Sequence, residues 1–278
     1  MKRRVLVADC FPPDLLPELE RNGLLGMGQA EVVMVNEFDA AIDCDVCYPA
    51  DPSQNLPDSS EIARYDGMLW SGTTFSTTED LVEIQRQIAL MRSAFAAGVP
   101  IFGICGGLQV AAVAAGGRVV ENPKGLESGI ARQIRLTSAG AAHPMFQFRK
   151  SGFDAVCDHY DVVVELPRES IVMATNAMAE VQAAIFHVGE SEFWGVQYHP
   201  DMDLSHLRAM PSFRRKDWVK HGLVRDDADI DLFQEMASRL ESNPNDKAAA
   251  WLLGVGQDVL DPMLRRAEVH AWLLEHIQ

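Results

Sequence analysis

Cys105 stands where a nucleophile would be expected. Residues 101–109 read IFGICGGLQ, an apolar stretch that ends in Gly-x-Cys-x-Gly and leads into a small-residue helix pattern. A strand–turn–helix of this kind strains its central residue and pushes the side chain outwards. The helix N-terminus favours the thiolate, and the N–H of Gly106 would point towards an oxyanion. By itself, the motif is also compatible with a buried structural cysteine before a glycine-rich helix.

A histidine further along the chain supplies a matching base. Residues 193–201 read FWGVQYHPD, an apolar strand pattern that ends in His199-Pro200-Asp201. A thiol nucleophile needs a base within hydrogen-bond reach, and that base needs an orienting group. Since residues i and i+2 of a strand share a face, Asp201 can lie beside His199 and fix its tautomer. A lone histidine before proline is more often structural, but together with Cys105 it predicts a catalytic triad.

Alternating strand and helix patterns must position these residues. A helix is expected to start at a Thr78 cap, to bury a face that includes Ile84 and Ile88, and to end at Gly98. Strands separated by helices imply a parallel sheet that is covered on both faces. The strands are predicted at residues 5–8, 31–35, 66–70 and 100–104, and a second helix at 106–115.

The second half of the chain changes character twice. A series of strand patterns predicts a mixed extension of the same sheet, and from about residue 205 the patterns are helical, with a last helix from Asp261-Pro262 to Ile277. That helix is apolar on so much of its surface that we expect it to be buried, against its own domain or against a second subunit of a homo-oligomer. We therefore predict a domain of residues 1–205 and a helical extension, 206–278, packed on it. The strands of the extended sheet are predicted at 130–136, 162–165, 171–175, 181–186 and 193–198.

Composition excludes several classes of function. The 278 residues carry a formal net charge of −16, which disfavours binding to nucleic acid or to an anionic membrane surface. Neither a run of about 20 apolar residues nor a secretory leader is visible, so a cytoplasmic protein is expected. Five cysteines, an odd number, argue against a disulfide framework. Cys44 and Cys47 form a C-x-x-C that is compatible with a redox pair, half a zinc site or a coincidence. Since no second pair lies nearby, we assign it no role and predict no metal.

The two motifs together resemble a known family. The segments 103–109 and 194–201 are similar to the two hallmarks of class I glutamine amidotransferases, and residues 1–205 follow that family in order and spacing, as a free-standing, GMP-synthase-like glutaminase domain would. The resemblance implies an α/β, flavodoxin-like fold with an open mixed, mostly parallel sheet and helices on both faces. To this the present chain would add a C-terminal helical appendage.

The resemblance also implies roles for further residues. Gly72, in the SGTT turn of residues 71–74, would complete the oxyanion hole with Gly106. Gln109 would help to hold the substrate. His159 and Asp161, in the HYDVVVELP segment of residues 159–167, would border its α-amino and carboxylate end.

Two departures from the family pattern are visible. The family usually has His-Pro-Glu, whereas this chain has Asp201, which is one methylene shorter. The backbone must therefore come closer, or Asp203 or a water must help. The helix start, Gly106-Gly107-Leu108, replaces the commoner Leu-Gly-His.

The implied chemistry is cleavage of a γ-glutamyl amide through a thioester on Cys105, with no cofactor. Three functions are compatible with it. The first is a glutaminase that passes ammonia to a separate synthetase, since no ATP-binding signature is visible in this chain. The second is a catabolic hydrolase of N-substituted γ-glutamyl amides, with Phe75, Phe213 and Trp218 as candidates for a pocket around the amine. The third is a non-catalytic binding or regulatory protein on the same fold.

Overall fold

A nine-stranded mixed sheet forms the centre of the protein. The computed structural model describes residues 2–278. Its strands are β1 (Arg4–Cys10), β2 (Asp43–Cys47), β3 (Gly67–Thr73), β4 (Ile101–Ile104), β5 (Arg118–Glu121), β6 (Glu127–Leu136), β7 (Gly152–His159), β8 (Asp161–Glu165), β9 (Ile171–Thr175), β10 (Ala183–Val188) and β11 (Ser191–Val196). The sheet order is β2-β1-β3-β4-β11-β10-β9-β6-β7, and β5 pairs with β8 separately. From β2 to β11 neighbouring strands are parallel, and from β11 to β7 they are antiparallel.

Twelve α-helices and two short 3₁₀ turns surround the sheet in the described part of the chain. The turns are Pro13–Leu15 and Pro144–Phe146. The helices are α1 (Leu16–Arg21), α2 (Met27–Phe38), α3 (Ser59–Ile62), α4 (Val82–Ala97), α5 (Gly106–Ala114), α6 (Ser138–Ala142), α7 (Leu204–Lys220), α8 (Asp227–Ser242), α9 (Lys247–Leu253), α10 (Gln257–Leu260), α11 (Pro262–Arg265) and α12 (Ala267–His276).

Both faces of the sheet are buried. Along β1, Val5 and Val7 pack into one core, which side chains of α2 and α12 share. Leu6 and Ala8 point to the opposite face and pack with α4 and α5. This alternation follows from the two-residue period of a strand, and helices on both sides account for the continuous apolar run. The predicted α/β fold, mostly parallel sheet and two-sided helical cover are confirmed.

The predicted strand at residues 31–35 is wrong. These residues lie in the middle of α2, and the strand of this unit is β2. The apolar run is short, and a run of that length does not separate a strand from a buried helix. The buried side chains of α2 decide the matter, because Met27, Glu31, Met34 and Val35 follow the three-and-four spacing of a helix face.

Other boundaries also differ from the prediction. Helix α4 begins after Leu81, so Thr78 does not cap it, whereas Gly98 ends it in the left-handed conformation at φ 72°. Thr78 instead donates its backbone N–H to Ser76 within the preceding turn, at 3.2 Å. The strand at 162–165 exists as part of β8, but it leaves the large sheet and pairs with β5. Strands β2, β5 and β7 were not predicted.

The last 75 residues of the chain are helical. Asp261 caps α11 as predicted, with its carboxylate accepting from Met263 N and Leu264 N, but the helix is interrupted at Arg266 before α12 begins. Helix α12 buries Val269 and Trp272 against the sheet of the same chain. No helix in the described residues is long and apolar enough to cross a membrane.

One buried ion pair ties this extension to the sheet. The Arg149 guanidinium lies 2.7 Å from the Glu268 carboxylate, with side chains 2% and 0% exposed. The Tyr198 hydroxyl donates to the same carboxylate at 2.8 Å. Tyr198 precedes His199, so α12 braces the chain beside the predicted base. The boundary at residue 205 between the first domain and the helical extension stays a prediction.

Candidate active site

Cys105 lies between β4 and α5 in a strained conformation. Its φ of 49° and ψ of −102° are unusual for a residue with a side chain. The segment is fixed from the neighbouring strand, because Cys105 N donates to Val196 O at 2.7 Å. Strand β11 is parallel to β4 with Val196 opposite Ile104, so the residues after both strands emerge at the same edge of the sheet.

His199 and Asp201 meet at that edge. His199 Nδ1 lies 3.0 Å from Asp201 Oδ1, and both side chains are buried. His199 N also donates to Val156 O at 2.8 Å, which anchors the backbone after β11. Asp203, the alternative acid, is engaged elsewhere, because its carboxylate caps α7 by accepting from Ser205 N and His206 N. Asp201, although one methylene shorter than the glutamate that is usual in the family, therefore reaches His199 directly.

The charges around His199 favour its protonated form. Burial alone would lower the pKa of this imidazole, but the charge of Asp201, followed by that of Cys105, raises the pKa well above its usual value. Such an arrangement stabilises the imidazolium form of His199. It can deliver a proton to a leaving group and withdraw one from a water.

Two glycines make close approaches around Cys105: Gly72 lies next to His199 and Cys105, and Gly106 lies next to Thr73. A Cβ on Gly72 would lie 2.9 Å from His199 Cε1 and 3.7 Å from Cys105 Cβ. A Cβ on Gly106 would lie 2.6 Å from the backbone nitrogen of Thr73. Both positions therefore require glycine, and they bring the end of β3 and the first turn of α5 to either side of Cys105.

Gln109 and Asp161 are linked by a polar chain that reaches the sulfur. Gln109 Nε2 donates to the backbone carbonyl of Asp161 at 2.9 Å and to Gln197 Oε1 at 3.3 Å. Gln197 Nε2 lies 3.4 Å from Cys105 Sγ. The Asp161 carboxylate accepts from Ser76 Oγ at 2.5 Å. Gln109 thus orients other groups with its amide, while Asp161 keeps acceptor capacity at the cavity.

His159 is engaged on both ring nitrogens. Nε2 lies 2.9 Å from Glu127 Oε2 and Nδ1 lies 3.1 Å from the Asp161 carbonyl. Glu127 also accepts from Gln182 Nε2 at 2.8 Å. The His159 ring lines the cavity beside Cys105. Because both ring nitrogens already have hydrogen-bond partners, the ring stabilises the cavity wall and has no free nitrogen for a substrate.

Gln197 and Glu31 are among the residues at the site that the sequence did not reveal. Gln197 lies two positions before His199 on one strand end, and that spacing was an available signal. Glu31 had no such signal, because it was expected on a strand. Its side chain is fully buried and neither oxygen has a hydrogen-bond partner in residues 2–278; Asp201 Oδ2 is also without one. Burial, followed by the charges of Asp201 and Asp9, raises the pKa of Glu31 well above its usual value.

Two cavities adjoin the cysteine and the histidine. The smaller, of about 100 Å³, is lined by Cys105, Gln109, His159 and Asp161 among others. The larger, of about 370 Å³, reaches His199. Its apolar wall includes Phe11, Leu19, Met27, Met202, Met210 and Phe213. A small polar space and a larger, predominantly apolar space, which Glu18, Asp158 and Arg214 also border, therefore meet at the reactive pair.

The three aromatic residues that were predicted to surround the amine do not line one common cavity. Phe213 lines the larger cavity, and Phe75 lines the smaller. Trp218 lines neither: it is buried in the helical extension, where its Nε1 donates to Ser128 Oγ at 2.8 Å. Its apolar ring packs against Phe233, at 4.9 Å between centroids.

The C-x-x-C lies on β2, away from this site. Cys44 packs towards one face of the sheet and Cys47 towards the other, as their odd separation in a strand dictates. Both are free thiols. Within the described residues, no cluster of three histidine, cysteine or acidic side chains could hold a metal ion. The pair is therefore placed for packing on opposite faces of a strand.

Comparison with known proteins identifies the family. The model of the class-I glutamine amidotransferase family matches residues 38–216, more than half of the chain. The chain belongs to the class I glutamine amidotransferases. The matched region of this amidotransferase contains Cys105, His199 and Asp201, and it extends into α7.

Relatives of this amidotransferase include hydrolases and synthetases. A γ-glutamyl-L-1-hydroxyisopropylamide hydrolase of a Pseudomonas species is 38% identical over 174 residues, 61% of this chain and 57% of that protein. The glutamine-hydrolysing GMP synthase of Salmonella typhimurium is 31% identical over 140 residues, 49% of this chain and 25% of that protein. The match thus spans little more than half of the first relative and a quarter of the second.

A solved structure shows the same architecture over the whole length. A glutamine amidotransferase of Thermotoga maritima superposes with a TM-score of 0.68 at 16% identity, covering 100% of this chain and 99% of that one. At this identity the likeness concerns the fold. It includes the helical extension, since the full chain is covered.

Proposed function

We propose that this amidotransferase hydrolyses N-substituted γ-glutamyl amides to glutamate and a free amine. Cys105, His199 and Asp201 would form the triad, with the backbone N–H groups of Gly72 and Gly106 as the oxyanion hole. The observation that carries the proposal is the predominantly apolar cavity of about 370 Å³ that adjoins His199. Ammonia needs no such space, whereas an amine substituent does.

The first half of the reaction forms a thioester. The Cys105 thiolate attacks the γ-carbonyl carbon, and the carbonyl π electrons move onto oxygen, where the two N–H groups stabilise the charge; each such donor is typically worth about 3 kcal/mol. The tetrahedral intermediate collapses as His199 gives its Nε2 proton to the departing nitrogen. The C–N bond breaks, the amine leaves and the glutamyl group stays on sulfur.

The second half regenerates the enzyme. His199, now neutral, takes a proton from a water, whose oxygen attacks the thioester carbonyl. The C–S bond then breaks, and glutamate leaves while Cys105 returns to the thiolate beside the imidazolium. Asp201 keeps Nδ1 protonated throughout, so that Nε2 is the atom that exchanges protons.

The positions of the two cavities support an assignment of the two halves of the substrate. His199 must face the nitrogen that it protonates, and His199 lines the larger cavity. Cys105, Gln109 and Asp161 line the smaller one, which suits the short, zwitterionic glutamyl group. The substituent on nitrogen would then lie among the apolar side chains. The relationship to the Pseudomonas amide hydrolase supports the proposed class of substrate.

The test compares glutamine with γ-glutamyl N-propylamide, N-butylamide and N-benzylamide. A buried propyl group contributes about 2.4 kcal/mol at about 0.8 kcal/mol per carbon. We therefore expect kcat/KM for the propylamide to exceed that for glutamine by roughly 60-fold, and by about 100-fold or more for the larger substituents. Equal or lower values for the substituted amides would overturn the proposal.

A matched pair of variants locates the preference. Ser212 lines the larger cavity at an exposed point of α7, and Ser212→Trp should fill part of that space. It is expected to lower kcat/KM for the benzylamide more than that for glutamine. Lys216→Trp places the same side chain one turn further along, outside the cavity lining, and should change neither.

A second candidate function rests on the GMP synthase relatives. A quarter of the Salmonella enzyme resembles about half of this chain, and ammonia transfer to a separate synthetase would use the same triad. If glutamine alone is cleaved, and cleaved faster once a synthetase is added, the ammonia-donor function is right and the hydrolase proposal is wrong.

A further inference from the structure

A single arginine of the helical extension borders both cavities. Arg214, on α7, lines the smaller space and the larger one. Its Nε donates to Asp158 Oδ2 at 3.1 Å, and its guanidinium carbon lies 5.1 Å from the centroid of the Tyr160 ring. Asp158 in turn places its backbone carbonyl 3.8 Å from Cys105 Sγ. The residue that holds the guanidinium therefore also touches the nucleophile.

The smaller cavity is lined by more acidic than basic side chains, whereas a glutamyl group carries one charge of each sign. Among its lining residues Arg214 is the only lysine or arginine, whereas Asp158 and Asp161 are acidic. The one histidine there, His159, is bonded to Glu127 and to a carbonyl. A γ-glutamyl substrate carries an α-ammonium and an α-carboxylate. Asp161 can accept from the ammonium, and only Arg214 can neutralise the carboxylate.

The guanidinium has donors left for a carboxylate ligand. In residues 2–278 its Nε is its one hydrogen-bonding atom, and Nη1 approaches Asp217 Oδ2 only to 3.9 Å. An arginine offers five N–H donors in a planar fork that fits a carboxylate. The side chain is 27% exposed, so it is held in place by Asp158 and Tyr160 without being closed off from a ligand.

We propose that Arg214 binds the α-carboxylate of the glutamyl group and so restricts the enzyme to amides that carry it. This rests on the proposed hydrolysis of γ-glutamyl amides. Two methylene groups separate the scissile carbonyl from the α-carbon, and Asp158 spans the corresponding gap between sulfur and guanidinium. The helical extension would then supply a specificity-determining residue for the glutamyl half of the substrate.

The experiment pairs each variant of the full-length protein with a substrate that lacks the carboxylate. The substrates are γ-glutamyl N-propylamide and 4-aminobutyryl N-propylamide, which differ only in the α-carboxylate. A charge-assisted hydrogen bond predicts that Arg214→Gln lowers kcat/KM for the first by about 10- to 150-fold. The second, already poor, should change less than about threefold. Arg214→Lys should retain part of the activity on the first.

Arg215 provides the matched control. It follows Arg214 on α7 but pairs with Asp227 and Asp231 at the surface, at 2.9 and 2.8 Å, and it lines neither cavity. Arg215→Gln should therefore leave both substrates unaffected. Equal losses of Arg214→Gln on the two substrates would show that Arg214 only supports the fold. No loss on either would show that it has no role.

A binding measurement separates this inference from the proposed reaction. Calorimetry on Cys105→Ala with glutamate, and with 4-aminobutyrate as reference, does not depend on turnover. We expect Arg214→Gln in that background to weaken glutamate binding by a similar factor of about 10- to 150-fold. Wild-type protein that cleaves no amide would contradict the hydrolysis alone. Unchanged glutamate binding would contradict the role of Arg214 alone.

Discussion

Gly72→Ala should impair turnover without unfolding the protein. A methyl group at this position would lie 2.9 Å from His199 Cε1, whereas ordinary carbon contacts begin near 3.4 Å, so about 0.5 Å must be gained by movement of the ring. Cε1 lies between the two ring nitrogens. Any movement away from Gly72 therefore alters the 3.0 Å bond to Asp201, the approach to Cys105, or both.

The size of the effect follows from the displacement. A misplacement of about 1 Å at a reacting centre costs about 100-fold in rate, so about 0.5 Å should cost roughly 10- to 100-fold in kcat. This corresponds to about 1.4–2.7 kcal/mol of transition-state stabilisation. The backbone N–H of residue 72 remains in the variant, so the loss reports on the position of His199 and leaves the proposed oxyanion donor in place.

Three measurements test this expectation. They are kcat on a γ-glutamyl amide, the thermal midpoint, and the rate at which iodoacetamide alkylates Cys105 near pH 6, which follows the thiolate fraction. Gly152→Ala is the matched control, because its nearest contact would be the Ile134 carbonyl at 3.8 Å and its backbone is not left-handed. Wild-type kcat and alkylation in Gly72→Ala would refute the geometry described for His199. A collapse of the thermal midpoint would show that the damage is to the fold.

Further outcomes follow from the same site and its support. Cys105→Ala should remain folded and lose several orders of magnitude in turnover, measured on the amide that the wild type cleaves best; retained activity would remove the nucleophile assignment. Asp201→Asn should shift the alkaline limb of the kcat/KM profile to lower pH, because the charge of Asp201 raises the pKa of His199 and the imidazolium is then lost at lower pH; an unmoved limb would contradict the pair. A chain that ends at residue 205 lacks α12 and the buried Trp272 and should aggregate on expression; a soluble, active product would show that the extension is dispensable. Glu268→Ala should destabilise the full chain by about 3–5 kcal/mol in denaturant unfolding, since it leaves a buried arginine unpaired; a loss below about 1 kcal/mol would be inconsistent with that burial.

The sequence alone determined the family, the fold class and the candidate reactive pair. The signals were local: a glycine-flanked cysteine after one apolar strand, and a histidine two residues before an acid after another. Such motifs are legible because strand ends and helix starts restrict backbone geometry within a few residues. Predictions failed where local patterns are ambiguous. The run at residues 31–35 fits a strand and a buried helix equally, and only its packing across the sheet selects the helix.

Tertiary structure decided everything that depends on contacts between distant parts of the chain. Asp203 lies only four residues after His199 in the sequence, yet its carboxylate caps α7. Glu31 approaches Asp201 and His199 from α2, and Arg214 lines the cavity beside Cys105 from α7. No periodicity in either helix marks these two residues as parts of the site. The apolar cavity beside His199 is also assembled from segments that lie far apart in sequence. Its volume depends on how the helices pack against the sheet, and that packing is fixed by burial over the whole chain, which no short motif encodes.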